Sequence, residues 1–277
     1  MKKKLLIVAG AIALALFLVC AAIIYVVLHR TEGQYFDSAG VKIHYTDEGS
    51  GIPVILVHGY TANADINWRL PGIHSKLRKH FRVIAMDVRG HGLSDKPHDP
   101  ALYGMETVND IVRLMDHLKI EKAHLVGYSM GGFITLKFLS KYPDRLLSAM
   151  PCGAAWMKPG DPLENLLANI HKEISSQGSL VRGLAGRLND LKALGSVAEA
   201  FHQIAVPEAD LRTVNVAVMA VKGSEEEVVV GGSDLKGVLP NYEEVIIPGG
   251  NHQSVVLYSA FQDRIVSFLL EHSPPKS

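Results

Sequence analysis

The chain has 277 residues, 48% of them hydrophobic, which is enough for one large globular domain or two modest ones. Lysine plus arginine equals aspartate plus glutamate at 28 each, and no basic run is longer than the three lysines at residues 2–4, which argues against a nucleic-acid-binding protein. The two cysteines form no CxxC pair and no His/Cys cluster, so the sequence predicts no metal site and no other cofactor.

The first element is an apolar segment at residues 5–28 that contains no charged residue. As a helix it would be about 36 Å long, more than the roughly 30 Å hydrocarbon core of a bilayer. It has no polar face, so an amphipathic helix does not fit, and it is longer than the core of a signal peptide. We therefore predict an uncleaved transmembrane anchor; a signal peptide cleaved near the small residues at 19–22 is the alternative.

The charges flanking this segment predict its orientation. Three lysines precede it and only Arg30 closely follows it. The positive-inside rule then puts residues 1–4 in the cytoplasm and the rest of the chain on the extracytoplasmic side of the membrane. If the segment is cleaved instead, the protein is secreted. Cys20 lies within the apolar segment, so we expect no disulfide with Cys152.

From residue 35 the sequence has the pattern of a globular domain. Residues 40–49 alternate in polarity and end at glycines, which predicts a strand of an antiparallel hairpin. Three apolar runs that end in glycine-rich turns are typical of buried strands, and they lie at residues 53–59, 81–92 and 122–129. Helical spacing predicts one helix at 105–120 and another in the stretch 131–144 that stops before Pro143.

The second half of the chain interrupts this alternation and then resumes it. Residues 161–204 have helical periodicity without a strand-like run, and we predict a helical cap over 154–205. The elements predicted after it are a strand at 213–223, a short helix at 233–240, a strand at 242–250 and a closing helix at 258–272. Alternating strands and helices indicate an α/β fold with a mostly parallel sheet, built from residues 35–153 and 206–277.

The stretch GYSMGG at residues 127–132 joins a predicted strand to a predicted helix. Serine is a weak nucleophile, and a sharp strand-to-helix turn would expose the Ser129 hydroxyl next to the free N–H groups of the helix. Such a turn is crowded, so the residues two before and two after the serine must lack bulk, as Gly127 and Gly131 do. The alternative is a glycine-rich turn with an inert serine.

Four motifs in this order, VHGY, DVRGHGLSD, GYSMGG and GGNH, resemble the α/β-hydrolase fold family, in its serine esterase and lipase branch. The resemblance covers roughly residues 35–153 and 206–272. It implies a catalytic triad in the chain order serine, acid, histidine. His252, in a loop straight after a predicted strand, matches the family's histidine, whereas His272 lies at the end of the closing helix.

The acid of the triad is less well defined by the sequence. The family usually has Gly-x-x-Asp after the preceding strand, whereas this chain has KGSEEE. Counting from Gly223 favours Glu226, but Glu225 and Glu227 flank it, and Asp234 also stands three residues after a glycine. We predict Glu226 and keep the other three carboxylates as alternatives, since the role asks only for a carboxylate that orients the imidazole.

Two backbone N–H groups are expected to hold the oxyanion. One belongs to Met130, the residue after the nucleophile, and by resemblance the other belongs to Tyr60. His58 is expected to brace that loop. A structural hydrogen-bond network is expected around DVRGHG, formed by Asp87, Arg89 and His91. Trp68 and Trp156 are candidates to line an acyl pocket, although packing in the core is the commoner use of such residues.

A serine nucleophile implies acyl transfer, and within the resembled family it argues against dehalogenases and epoxide hydrolases, which use a carboxylate. The prediction is a membrane-anchored carboxylesterase or lipase that acts on a small-molecule or lipid ester. C–C bond hydrolases, thioesterases, acyltransferases and a non-catalytic binding protein stay as alternatives, because their motifs look alike.

Overall fold

The computed structural model describes residues 30–178, 183, 186, 189–229 and 234–275. Within these residues no helix is both long and apolar enough to cross a membrane. The segment at 5–28, to which the predicted anchor belongs, lies outside them.

The core of the fold is one eight-stranded sheet with the strand order β1-β2-β4-β3-β5-β6-β7-β8. The strands β3 to β8 are parallel to one another, while β1 and β2 form the predicted antiparallel hairpin at one edge, where β2 also pairs antiparallel with β4. The strands are β1 Gln34–Ser38, β2 Val41–Gly49, β3 Pro53–Val57, β4 Arg82–Met86, β5 Ala123–Tyr128, β6 Leu146–Cys152, β7 Ala217–Gly223 and β8 Tyr242–Ile247.

Helices cover both faces of the sheet and pack on two apolar clusters, one on each side. Among the described residues the α-helices are α1 Ile73–Leu77, α2 Met105–His117, α3 Met130–Lys141, α4 Leu166–Ser176, α5 Leu191–Ala200, α6 Glu208–Arg212 and α7 Ser259–Glu271. A π-helical turn, Asp65–Arg69, precedes α1. The predicted α/β architecture with a mostly parallel, helix-flanked sheet is therefore confirmed.

One predicted element is wrong, and one strand was missed. The helix predicted at 233–240 is wrong, since its described part is a turn in which Lys236 and Leu239 form an isolated β-bridge. The strand β6 was not predicted, although it is buried between β5 and β7. Its sequence, LLSAMPC, has a serine and a proline within the apolar run, which obscures the strand pattern.

Two segments connect the core to the predicted cap, one after β6 and one before β7, and they are hydrogen-bonded to each other. The indole N–H of Trp156 donates to the carbonyl of Val206 at 2.8 Å, and the N–H of Val206 donates to the carbonyl of Met157 at 2.8 Å. Lys137 of α3 donates from Nζ to the carbonyl of Ala205 at 2.7 Å. These bonds join the two ends of the predicted cap, which contains α4 and α5, to each other and to α3.

Candidate active site

Ser129 stands at the sharp turn between β5 and α3. Its φ of 54° and ψ of −120° lie outside the usual regions for a residue with a side chain, so the turn is strained. Its N–H donates to the carbonyl of Cys152 at 2.9 Å, and its own carbonyl accepts from Gly132 at 2.7 Å. The strain is thus held on both sides by backbone hydrogen bonds, one to the neighbouring strand β6 and one within α3.

The glycines around the serine are needed for space. A Cβ on Gly127 would lie 2.0 Å from the carbonyl oxygen of Gly131, and a Cβ on Gly131 would lie 2.1 Å from that of Val57. A Cβ on Gly59 would lie 3.2 Å from Cβ of Ser129. The turn can therefore approach β3 and the loop that follows it only because these positions lack a side chain.

The structure brings Ser129, His252 and Glu226 together, and they lie 123 and 26 residues apart along the chain. Oγ of Ser129 is 2.9 Å from Nε2 of His252. Nδ1 of the same imidazole is 2.8 and 2.9 Å from the two carboxylate oxygens of Glu226. This is the geometry of a nucleophile, a base and a carboxylate that orients the base.

The glutamate reaches the histidine because the loops after β7 and β8 cross closely. A Cβ on Gly223 would lie 1.9 Å from the carbonyl oxygen of Gly250, and that carbonyl accepts from the N–H of Glu225 at 2.9 Å. The carboxylate of Glu226 is itself held by the N–H groups of Val228 and Val229, at 2.9 and 3.1 Å. The alternative acid Asp234 instead accepts from the N–H of Lys236 in its own turn.

The charge state of Glu226 suits the orienting role. Burial by itself would raise the pKa of this carboxyl. The hydrogen bond from His252, the charge of that imidazole and the two backbone N–H donors outweigh burial, so the pKa of Glu226 is lowered below its ordinary value. The carboxylate is therefore ionised at neutral pH and can stabilise a protonated imidazole.

Two backbone N–H groups near Ser129 are available to an oxyanion. Within the described residues, neither Tyr60 nor Met130 donates its N–H to a protein acceptor. Met130 begins α3, where unpaired N–H groups are expected, and Tyr60 follows Gly59 in the loop after β3. The N–H of Gly59 is bound by Oδ1 of Asn67 at 2.9 Å, which fixes this loop.

The family model for the α/β-hydrolase fold matches residues 52–177, which include the serine turn and the loop after β3. The chain belongs to the α/β-hydrolase fold superfamily. A 2-hydroxymuconate semialdehyde hydrolase of Pseudomonas sp. (strain CF600) is 37% identical over 126 residues, 44% of this chain and 44% of the relative. The match covers 44%, 64% and 44% of the lengths of three curated relatives.

Solved structures of this fold superpose over most of the chain. A meta-cleavage product hydrolase from Pseudomonas fluorescens IP01 has a TM-score of 0.71 and 25% identity, and the match covers 87% of this chain and 98% of that one. A carboxylesterase from the thaumarchaeon Nitrososphaera gargenis has a TM-score of 0.73 at 20% identity and 86% and 98% coverage. The same fold thus carries different reactions, and the fold alone does not choose between them.

The other polar residues singled out from the sequence have structural contacts in this hydrolase fold. His58 accepts the N–H of Val88 on Nε2 at 3.0 Å and donates from Nδ1 to the carbonyl of Gly59 at 2.8 Å, so it braces the loop after β3. Asp87 binds Nδ1 of His44 at 3.0 Å.

Arg89 and His91 are likewise buried in the core. Arg89 forms a buried ion pair with Asp110, in which its Nη2 lies 2.5 Å from the carboxylate. Burial lowers the pKa of His91 to about 3, which keeps its imidazole neutral. The hydroxyl of Ser129 is bonded instead to Nε2 of His252.

Three neighbours of the site were not foreseen from the sequence. The hydroxyl of Tyr128 donates to the carbonyl of His252 and thereby holds the histidine loop. Asn67 and the carbonyl of Cys152 hold the oxyanion loop and the serine turn, respectively. None of the three belongs to a recognisable sequence motif, and each acquires its role only through a hydrogen bond made in the folded chain.

The two tryptophans are both fully buried, and they differ in their surroundings. Trp68 packs in the cluster beneath α1 and α7. Trp156 lies at a cavity of about 550 Å³ that has Glu226 in its wall but neither Ser129 nor His252. Trp156 therefore lines a cavity that does not include the reacting serine and histidine. Among the described residues no group of histidine, cysteine or acidic side chains is arranged to hold a metal ion.

Proposed function

We propose that this protein is a serine hydrolase that cleaves carboxylic esters through an acyl-enzyme. The observation that supports it best is the continuous hydrogen-bonded series from Ser129 through His252 to Glu226, with each contact between 2.8 and 2.9 Å. A serine in this setting is activated by the imidazole as general base. The unpaired N–H groups of Tyr60 and Met130 supply the charge stabilisation that acyl transfer needs.

The reaction would proceed in two halves. Oγ of Ser129 attacks the ester carbonyl while its proton passes to Nε2 of His252, and the carbonyl oxygen becomes the oxyanion. As the C–O bond to the alcohol breaks, the imidazolium returns the proton to the leaving oxygen. Water then attacks the acyl-enzyme by the same route, and Glu226 holds the imidazole in the required tautomer throughout.

The described cap residues suit an apolar acyl group. A gap of about 20 Å³ lies between α3 and the predicted cap, and its lining is mostly apolar: Met130, Ile134, Val197, Phe201 and Ile204, with Gly104 and Thr107. A lipid-derived ester, supplied by a membrane in which residues 5–28 are anchored, matches the apolar character of this lining and the predicted topology. The substrate proposed is therefore an ester with a hydrophobic acyl chain.

Hydrolysis of a C–C bond is the second candidate, and the 37% identity to a 2-hydroxymuconate semialdehyde hydrolase favours it. A substrate of that kind carries a carboxylate, so its enzyme is expected to offer a cation at the site. The buried cations in the described part of the chain are already engaged, Arg89 by Asp110 and Lys137 by the carbonyl of Ala205. This makes ester hydrolysis the better supported of the two.

Covalent labelling with a fluorophosphonate tests the nucleophile. The full chain in detergent should label at Ser129, and Ser129→Ala should lose both labelling and turnover. The matched control is Ser140→Ala, which removes a hydroxyl bound to its own helix in α3. Undiminished turnover by Ser129→Ala would refute the mechanism.

A substrate panel then separates the two reactions. It contains nitrophenyl esters of graded acyl length, a monoacylglycerol and a meta-cleavage dienoate. We expect turnover of the esters to rise with acyl length. Turnover of the dienoate alone would favour C–C hydrolysis, and turnover of short esters alone would exclude a lipid substrate.

We also propose that residues 5–28 anchor the protein, with the hydrolase domain on the extracytoplasmic side. Protease added outside intact cells or spheroplasts should then digest the domain of a membrane-bound protein. Recovery of the protein in the soluble fraction with the segment removed would instead show that it is a cleaved signal.

A further inference from the structure

Tyr60 belongs both to the loop that faces the nucleophile and to the contact with the cap. Its hydroxyl donates to the carbonyl of Leu194 in α5 at 2.9 Å. The same oxygen lies 3.3 Å from Nδ1 of His171 in α4. One side chain thus joins the loop after β3 to both described cap helices, and it is only 9% exposed.

The directions of these hydrogen bonds follow from the donors available. Tyr60 has one hydroxyl proton, which the carbonyl of Leu194 accepts, so Nδ1 of His171 must donate to the tyrosine oxygen. Nε2 of His171 is then left to accept from Oγ of Ser175, 3.4 Å away. Burial raises the pKa of Tyr60, which keeps the hydroxyl protonated as this arrangement requires.

The backbone of the same residue lies at the serine. Gly59, directly before Tyr60, approaches Cβ of Ser129 so closely that an added Cβ would lie 3.2 Å from it. A tyrosine side chain has only two rotatable bonds before its rigid ring, so a shift of α4 and α5 is transmitted to the backbone of residue 60. Oxyanion stabilisation depends on donor position to within a few tenths of an ångström, which makes this link consequential.

We infer that the Tyr60 hydroxyl is a positioning group that couples the cap to the oxyanion donor on its own backbone. The donor is held in place while α4 and α5 cover the site, and it is released when they move away. Closure of the cap over the substrate and placement of the oxyanion donor then occur together. The inference rests on the proposed function, because it takes the Tyr60 N–H as a donor to the developing oxyanion.

Tyr60→Phe removes the hydroxyl and keeps the ring. Two readouts are followed on the full chain in detergent: kcat and KM for a short nitrophenyl ester, and the rate of phosphonylation of Ser129 by a fluorophosphonate. We expect kcat and the phosphonylation rate to fall about 10-fold with KM nearly unchanged, because a misplaced donor weakens only the transition state. Hydrogen exchange of residues 166–176 should become faster in this variant.

A second pair of variants tests the link from the cap side. His171→Leu removes the donor to Tyr60 and should lower kcat about 3-fold, while His171→Asn, which retains an N–H near the position of Nδ1, should restore most of it. His171 is half-buried, so these variants are expected to fold even if Tyr60→Phe does not.

The matched control is Tyr103→Phe. Tyr103 is 1% exposed and its hydroxyl donates to the carbonyl of Pro97 within the core, so the change lowers Tm without moving kcat. The inference is overturned if Tyr60→Phe and His171→Leu both keep kcat within twofold of the wild type. Failure of the proposed function looks different, since the wild-type protein itself would then neither hydrolyse esters nor label at Ser129.

Discussion

At the scale of single residues, glycines decide whether the chain can form the sharp turn that exposes the Ser129 hydroxyl. Gly131 illustrates this, because an added Cβ would lie 2.1 Å from the carbonyl oxygen of Val57 and 2.8 Å from that of His58. Both obstacles are backbone atoms, one in a central strand of the sheet, and neither can move without disturbing β3. The position therefore tolerates no side chain at all.

Gly131→Ala is expected to destabilise the protein by about 3 kcal/mol or more, because the clash cannot be relieved by a rotamer change. The measurement is the midpoint of thermal or urea unfolding. Gly178→Ala serves as the control, since an added Cβ there meets nothing within 4 Å. Equal midpoints for the two variants would show that the serine turn is less crowded than described.

The identity of the triad carboxylate also depends on a single residue. The sequence narrowed it to Glu225, Glu226, Glu227 and Asp234, but could not fix which of them faces the histidine. Side-chain direction in a loop depends on backbone dihedrals, and here also on the close crossing of Gly223 and Gly250, which no local pattern encodes. By contrast, Ser129 and His252 were placed by motif and chain order.

Glu226→Gln is expected to lower kcat by about 10³- to 10⁴-fold, because the amide no longer stabilises the imidazolium or its tautomer. Glu225→Gln and Glu227→Gln are the matched controls, with kcat expected within about twofold of the wild type. The rates are measured on one short ester at neutral pH. A larger loss in either control than in Glu226→Gln would assign the role elsewhere.

At the scale of secondary-structure elements, strands with a regular apolar pattern could be predicted from the sequence, whereas elements with an irregular pattern could not. The strands β3, β4 and β5 have continuous apolar sequences, and each was expected where it lies. The polar serine and the proline of β6 obscured a strand whose burial comes from neighbours on both sides. The helix expected at 233–240 failed because only tertiary contacts decide the path of so short a segment.

The ion pair between Arg89 and Asp110 is buried between elements of the fold and also depends on tertiary contacts. Arg89, in the loop after β4, is bound by Asp110 of α2 at 2.5 and 2.6 Å, and both side chains are almost fully buried. Asp110 also accepts from the hydroxyl of Ser38 at the end of β1. The aspartate therefore joins three parts of the fold.

Asp110→Ala is expected to lower the free energy of unfolding by about 3–5 kcal/mol, because it leaves the Arg89 charge buried and unpaired. Asp116→Ala in the same helix is the control. Asp116 pairs with Arg145 at the surface, where its side chain is 62% exposed, and such a pair contributes at most about 1 kcal/mol. Urea unfolding of both variants measures the difference, and similar losses would argue against a special role for the buried pair.

At the scale of the whole molecule, histidines buried in different parts of the fold make its stability depend on pH. Burial is the main cause that lowers the pKa of the imidazoles of His74, His91 and His124, to about 4, 3 and 4 respectively. In the unfolded chain their pKa values return to about 6.5. Between these values the unfolded chain binds protons that the native protein does not bind.

The free energy of unfolding should therefore be fully maintained above about pH 6.5 and should fall progressively as the pH drops toward 4. At pH 5 each of the three imidazoles is expected to reduce it by at most about 2 kcal/mol, since one pKa unit corresponds to about 1.4 kcal/mol. Urea unfolding at a series of pH values gives the slope, which reports the protons taken up on unfolding.

His124→Gln isolates one of these contributions, because the imidazole of His124 contacts only the hydroxyls of Ser148 and Ser273 through its nitrogens. The variant should take up about one proton fewer on unfolding near pH 5 than the wild type does. His202→Gln, which removes an exposed imidazole that water reaches in both states, is the control. A slope unaltered by His124→Gln would argue that His124 is already protonated in the native protein near pH 5, in which case both imidazole nitrogens would donate to the two serine hydroxyls.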